Sequence, residues 1–137
     1  MCDYCGCRDN PEIAKLGAEH DAIGALADQV LGEVKAGSET VKGAIGRLRH
    51  LLDPHVRGEE TGIFRVAETM GLGTQYVYEL EDDHRRFDAA LSDTGALSVD
   101  ALESVLDEIY RHIAVEEYDL FPEVARNLNT QAVSNRS

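Results

Sequence analysis

Apolar residues recur every three or four positions along most of the chain, which is the spacing of an α-helix that buries one face. This pattern predicts four helices, over residues 11–36, 39–70, 74–93 and 99–127. Asn10 and Ser98 suit the N-caps of the first and last helices, and Gly37 suits the C-terminal cap of the first. Pro54 and Pro122 predict distortions within the second and fourth helices. Since no strand-like alternation competes, we expect an all-α, up-down-up-down four-helix bundle.

The chain is short enough for one domain. Its 137 residues, 43% of them hydrophobic, suffice for a single core without disulfide support. We divide it into an N-terminal arm (residues 1–10) that contains all three cysteines, a bundle (11–127) and a polar C-terminal tail (128–137) that we expect to fray.

Each predicted apolar stripe is interrupted by histidine, either alone or followed four residues later by glutamate. The interrupting residues are His20, His55 with Glu59, His84, and His112 with Glu116. A polar group that faces a core is costly unless it is hydrogen-bonded, paired or bound to a metal. A lone core histidine usually only packs, and a His-x3-Glu pair can be an ordinary surface pair. Four such interruptions at one level of a bundle favour a metal site instead, whereas His50 lies off the stripe and is expected at the surface.

The spacing and ligand types suggest two metal ions. Residues four apart rise about 6 Å along one helix face, so the imidazole can bind one ion while the carboxylate reaches a second. Four imidazoles and two carboxylates exceed what one ion needs and suit a pair bridged by carboxylates. This donor set favours iron, with zinc or manganese as competitors.

The same residues resemble the hemerythrin-like HHE cation-binding family, whose pattern is His, His-x3-Glu, His, His-x3-Glu. The resemblance covers residues from about 11 to 126 and is carried by the segments EHDAI, HVRGEETGIF, DHRRF and HIAVEEYDLFP. It implies a four-helix bundle around two iron ions joined by an oxo or hydroxo bridge. The ligands that it implies are His20, His55, Glu59, His84, His112 and Glu116.

One position departs from the oxygen-carrying members of that family. They have a second histidine on the third helix, where this chain has Asp88, four residues after His84. Either Asp88 is an additional oxygen ligand or one iron keeps an open position, and both readings argue against simple reversible oxygen carriage. Glu60 and Glu117 are weaker ligand candidates, because each lies about 100° around its helix from the proposed carboxylate. Tyr110 and Tyr118 flank the last ligand pair as packing residues, outer hydrogen-bond donors or phenolate ligands.

Cys2, Cys5 and Cys7 offer three thiols within six residues, one fewer than a closed tetrahedral zinc site needs. The alternatives are a metal site with a borrowed ligand, pairing across a homodimer, a redox or iron-transfer arm, or unpaired reduced thiols.

Composition restricts the partners. A formal net charge of −13 argues against nucleic acid, whose phosphates would be repelled. No apolar run approaches the roughly 20 residues of a membrane helix, and no secretory signal is visible at the N-terminus. We therefore expect a cytoplasmic protein with small-molecule ligands and no membrane partner.

We expect a di-iron protein that reacts with small oxidants, most concretely by disproportionating hydrogen peroxide. The alternative is a protein without turnover that senses or binds oxygen or nitric oxide, or that handles iron or repairs iron centres. A third reading is a zinc ion that only ties the helices together.

Overall fold

The structure, a computed structural model, describes residues 10–37, 41–72, 74–92 and 98–136. Its elements are α1 (Pro11–Lys35), α2 (Val41–Thr61), α3 (Ile63–Thr69), α4 (Thr74–Ser92), α5 (Val99–Val115), a π-helical turn (Glu116–Leu120) and α6 (Phe121–Arg136). All of these elements are helical, as predicted. The three cysteines of the arm, and Ser38 as the predicted N-cap of the second helix, lie outside the described residues.

The bundle has four helical arms, which are distinct from the N-terminal segment with the cysteines. The first arm is α1 and the third is α4. The second arm consists of α2 and α3, and the fourth of α5, the π-helical turn and α6. Helix α1 packs against α2, α2 and α3 against α4, α4 against α5, and α5 back against α1. Arms that are consecutive in sequence are therefore neighbours in space, as in an up-down-up-down bundle. Within the described part of the chain, every helix is too short or too polar to span a lipid bilayer.

The predicted caps are present. The side chain of Asn10 accepts hydrogen bonds from the backbone N–H groups of Glu12 and Ile13, at 2.9 and 3.1 Å. Ser98 accepts one from Ala101 at 3.1 Å. Gly37, just beyond α1, has a φ of 67°, a conformation that costs glycine little and other residues much more.

The second arm breaks at a position that the sequence did not reveal. Helix α2 continues through Pro54 and ends at Thr61, and α3 begins after Gly62, whose φ and ψ are −107° and −101°. A Cβ atom at residue 62 would lie 2.7 Å from the backbone oxygen of Gly58 and would also clash with the carboxylate of Glu12. The break thus requires a glycine.

The fourth arm is distorted just before Pro122, close to the predicted place. The backbone N–H of Phe121 donates to the oxygen of Glu116, five residues back, which defines the π-helical turn. Proline has no N–H for the carbonyl four residues earlier, and a wider turn relieves that mismatch. Helix α6 then continues to Arg136, beyond the predicted end near Asn127.

The core consists of two apolar clusters. One contains Ile23, Leu52, Phe87 and Ile109, and the other contains Leu16, Ile63, Leu80 and Leu120. On each arm the predicted ligands lie in sequence between a residue of one cluster and a residue of the other. The bundle therefore holds a polar layer between two apolar ones, built from His20, His55, Glu59, His84, His112, Glu116 and Glu117, all of which are buried.

Candidate metal centre

The polar layer brings all six predicted ligands into two overlapping groups. His20 and His55 form the first group with Glu59 and Glu116, and His84 and His112 form the second with the same two glutamates. Within each group the candidate ligand atoms lie within 4.8 Å of one another, and every member is buried. Both carboxylates are shared, so the arrangement has the form of two adjoining cation sites.

The ligand atoms converge at short range. Nε2 of His20 lies 3.1 Å from Oε1 of Glu116 and 3.4 Å from Oε2 of Glu59. Nε2 of His55 lies 3.3 Å from Oε1 of Glu59. In the second group, Nε2 of His84 and Nε2 of His112 lie 3.1 Å apart, and each is 3.1 Å from one of the shared carboxylates.

The inward oxygens also lack ordinary partners. Glu59 and Glu116 are fully buried, and neither oxygen of either carboxylate has a hydrogen-bond partner among the described residues. Leaving a buried carboxylate uncompensated is costly, and native structures avoid it unless a cation or a donor compensates. The donor set, its burial and these unpartnered oxygens fit a pair of metal ions.

The outward nitrogen of each of the four cluster histidines contacts a carboxylate from another arm. Nδ1 of His20 contacts Glu117 at 2.8 Å, and Nδ1 of His55 contacts Glu19 at 2.7 Å. Nδ1 of His84 contacts Glu60 at 2.9 Å, and Nδ1 of His112 contacts Asp83 at 3.0 Å. A carboxylate that accepts the Nδ1–H bond leaves Nε2 with its lone pair directed inward, which is the tautomer that binds metal.

Comparison with protein families agrees with this geometry. The model of the hemerythrin HHE cation-binding domain matches residues 11–124, which is most of the chain and includes all six candidate ligands. This chain belongs to the hemerythrin HHE family. Comparisons of the hemerythrin domain with curated proteins and with solved structures gave no significant match. Membership assigns the domain to a family that binds metal ions.

We call the four carboxylates that contact these Nδ1 atoms the outer acids of this hemerythrin domain. Their contacts link the four arms in a closed circuit around the bundle. Glu19 of α1 reaches the histidine of α2, Glu60 of α2 that of α4, Asp83 of α4 that of α5, and Glu117 of the π-helical turn that of α1. Each contact thus joins one arm to the next in the same direction around the bundle.

The π-helical turn explains how two consecutive glutamates are both buried. In an α-helix, neighbouring residues point about 100° apart, so one of them usually faces away from the core. In this turn, Glu116 points into the ligand cluster while Glu117 reaches the outer side of His20. π-Helical turns inside α-helices often occur at functional sites.

Sequence reasoning missed the outer acids or ranked them low. From the sequence, Glu60 and Glu117 are only weak ligand candidates, and the stripes assign no role to Glu19 or Asp83. Each of the four is adjacent in sequence to a ligand, which is the signal that identifies them. The acid precedes the ligand on α1 and α4 and follows it on the two arms of opposite direction, so all four are turned the same way around the bundle.

The other predicted site residues lie elsewhere. The side chain of Asp88 is 67% exposed, lies 3.8 Å from Arg49 and belongs to neither ligand group. Tyr110 donates its hydroxyl hydrogen bond to Asp28, and Tyr118 is mostly exposed. His50 is exposed, as expected. The proposed metal or redox role of Cys2, Cys5 and Cys7 concerns residues outside the described part of the chain.

The carboxylates around His20 and His112 favour the protonated imidazoles when no metal is bound. Burial lowers the pKa of His20, but its contacts with Glu116, Glu117 and Glu59 outweigh burial and raise that pKa to about 11. Burial likewise lowers the pKa of His112, and the charge of Glu116 with the contact to Asp83 raises it well above its ordinary value. Cations that bind to the hemerythrin domain must displace these protons.

Proposed function

We propose that this hemerythrin domain binds two iron ions, one in each ligand group, bridged by the carboxylates of Glu59 and Glu116. The observation that carries the proposal is that two groups of four buried ligands share both carboxylates. His20 and His55 would hold one ion, and His84 and His112 the other. Imidazole with carboxylate suits iron, and zinc or manganese would compete for the same donors.

We further propose that the centre reacts with small oxidants, and specifically that it disproportionates hydrogen peroxide to water and oxygen. When bound, the iron pair would relay two electrons from one peroxide molecule, which loses two protons and leaves as oxygen, to a second, which takes up two protons and becomes two molecules of water. Four protein ligands for each ion leave coordination positions free, because iron commonly takes more than four ligands.

The chain's own residues support this chemistry in three ways. The histidines and glutamates hold the donors in place, and the outer carboxylates fix the imidazole tautomers. Apolar side chains on every arm border the cluster, among them Ile23, Leu52 and Ile109, and limit the access of water. A pocket with such walls favours small uncharged ligands.

The first experiment is elemental analysis, with an optical spectrum, of protein purified from iron-replete cells. We expect about two irons for each chain, because there are two ligand groups, and the near-ultraviolet absorption of a bridged ferric pair. Zinc in place of iron, with no visible or near-ultraviolet bands, would refute the redox proposal.

Oxygen release from added peroxide then tests the reaction. His55→Ala should abolish it together with metal content, whereas Asp88→Ala should leave both unchanged, since Asp88 lies outside the ligand groups. An iron-loaded protein that binds oxygen or nitric oxide reversibly but releases no oxygen from peroxide would support the non-catalytic alternative.

A further inference from the structure

A surface groove between α2 and α4 leads towards the second ligand group. Its volume is about 310 Å³, and buried Leu52, His84 and Phe87 line its inner part. Exposed Asp53 and Asp88 lie among the outer residues. The groove therefore runs from solvent to one of the candidate metal ligands.

Behind it lies a small enclosed pocket at the centre of the bundle. It has a volume of about 10 Å³, close to the space that one water molecule needs, and three cluster histidines (His55, His84 and His112) border it. The remaining lining is apolar and comes from Ile23, Leu52, Val56, Phe87, Ile109 and Ile113. The pocket thus has room for about one water-sized group in contact with the ligand cluster.

The groove and the pocket are separated by a single layer of side chains. They share Leu52, Val56, His84 and Phe87, so these side chains present one side to solvent and the other to the centre. Val56 follows His55 on α2 and is half-buried. Phe87 follows His84 by one helical turn, and its ring lies edge-on to His112 with centroids 5.3 Å apart. A path between the two spaces would have to pass between these side chains.

Two other surface pockets among the described residues lie away from the ligands. One is lined by residues that include Leu26 and His50, and another by residues that include Leu31 and Tyr110. Neither contains a member of the two ligand groups.

We propose that small uncharged ligands reach the centre through the groove between α2 and α4, and that Val56 and Phe87 form the neck that sets their size limit. This inference rests on the proposed function, because it concerns access to the metal ions. The apolar neck disfavours ions, since an ion would lose its hydration there without a partner. At the rim of the groove, the guanidinium of Arg49 lies 3.8 Å from the carboxylate of Asp88. These opposite charges largely cancel, so the pair attracts neither anions nor cations strongly.

The test measures ligand binding rather than turnover. Nitric oxide and the bulkier tert-butyl isocyanide are both uncharged ligands of ferrous iron, and stopped-flow absorbance gives their rates with the ferrous protein. Val56→Phe should slow both association and dissociation of nitric oxide, the association rate by at least about tenfold, because a narrower neck raises the barrier between solvent and the centre. Val56→Ala should have the opposite effect and should accelerate the isocyanide more than nitric oxide.

Val66→Phe is the matched control. It adds the same side-chain volume at a half-buried valine of the same arm, on α3, beyond the other side of the ligand layer. If Val66→Phe slows nitric oxide as much as Val56→Phe, or if neither Val56 variant changes the rates, the groove is not the path. Val56→Ala keeps the test decisive if the larger side chain prevents folding.

The outcomes separate the two proposals. Protein that binds no metal would overturn both the di-iron function and the path. Protein that binds iron but does not consume peroxide would overturn the reaction alone, and the nitric oxide rates would still decide the path.

Discussion

Replacing Asp83 by asparagine tests whether the outer carboxylates tune the metal centre. Asp83 accepts the Nδ1–H bond of His112 at 3.0 Å, and its own side chain is only 20% exposed. Burial raises the pKa of Asp83, but its contact with His112 outweighs burial and lowers it. Asparagine keeps an acceptor oxygen and similar size but removes the charge, so the imidazole should stay oriented while it becomes a weaker donor to metal.

Loss of such a partner commonly reduces metal affinity by about 10-fold to 100-fold, which corresponds to about 1.4–2.7 kcal/mol. We expect Asp83→Asn to fall in this range, measured by anaerobic titration with ferrous or cobaltous ion. Asp82→Asn is the control. It also removes one acid and its contacts with arginines, 3.4 Å from Arg85 and 3.8 Å from Arg86, but Asp82 is 57% exposed and touches no candidate ligand. Equal affinity in the two variants would refute the role of the outer carboxylates.

Three further predictions follow from the geometry. His55→Ala should lose metal by elemental analysis, whereas His50→Ala, on the surface, should retain it. The pKa of His20 is raised from 6.5 to about 11, so its contribution to the stability of the metal-free protein is complete below pH 6.5 and is lost as pH rises towards 11. With chelator present, the thermal unfolding midpoint should decrease as pH is raised from about 6 to about 9, whereas metal affinity should increase over the same range. If the unfolding midpoint and the metal affinity both rose or both fell with pH, the reasoning would be wrong. Gly62→Ala should destabilise by roughly 1–3 kcal/mol in urea unfolding because its Cβ meets backbone, whereas Gly46→Ala, on an open face of α2, should stabilise by roughly 0.5–1 kcal/mol.

The sequence was sufficient for the helical fold and for the six residues that converge. Helical periodicity alone placed His20 and His84 on buried faces, because a ligand that points inward must share its stripe with the core. It could not predict the break at Gly62, because a single glycine inside a helical pattern is also compatible with a continuous helix. It also could not assign Glu117, because an α-helical stripe places that residue off the core-facing line, and its contact with His20 depends on how two arms that are distant in sequence pack together.

The ring of outer acids also bears on which way the bundle winds. All four acids are turned in one rotational sense from the inward-facing ligands. Three of them therefore meet the arm that follows in the chain, and Glu117 of the last arm meets the first. If the same helices were arranged in the mirror-image order around the bundle, each acid would face the neighbouring arm on its other side. The histidine that it contacts now would then lose the carboxylate partner of its Nδ1–H group. The apolar stripes are compatible with both arrangements, so these four hydrogen bonds favour the observed topology over its mirror image.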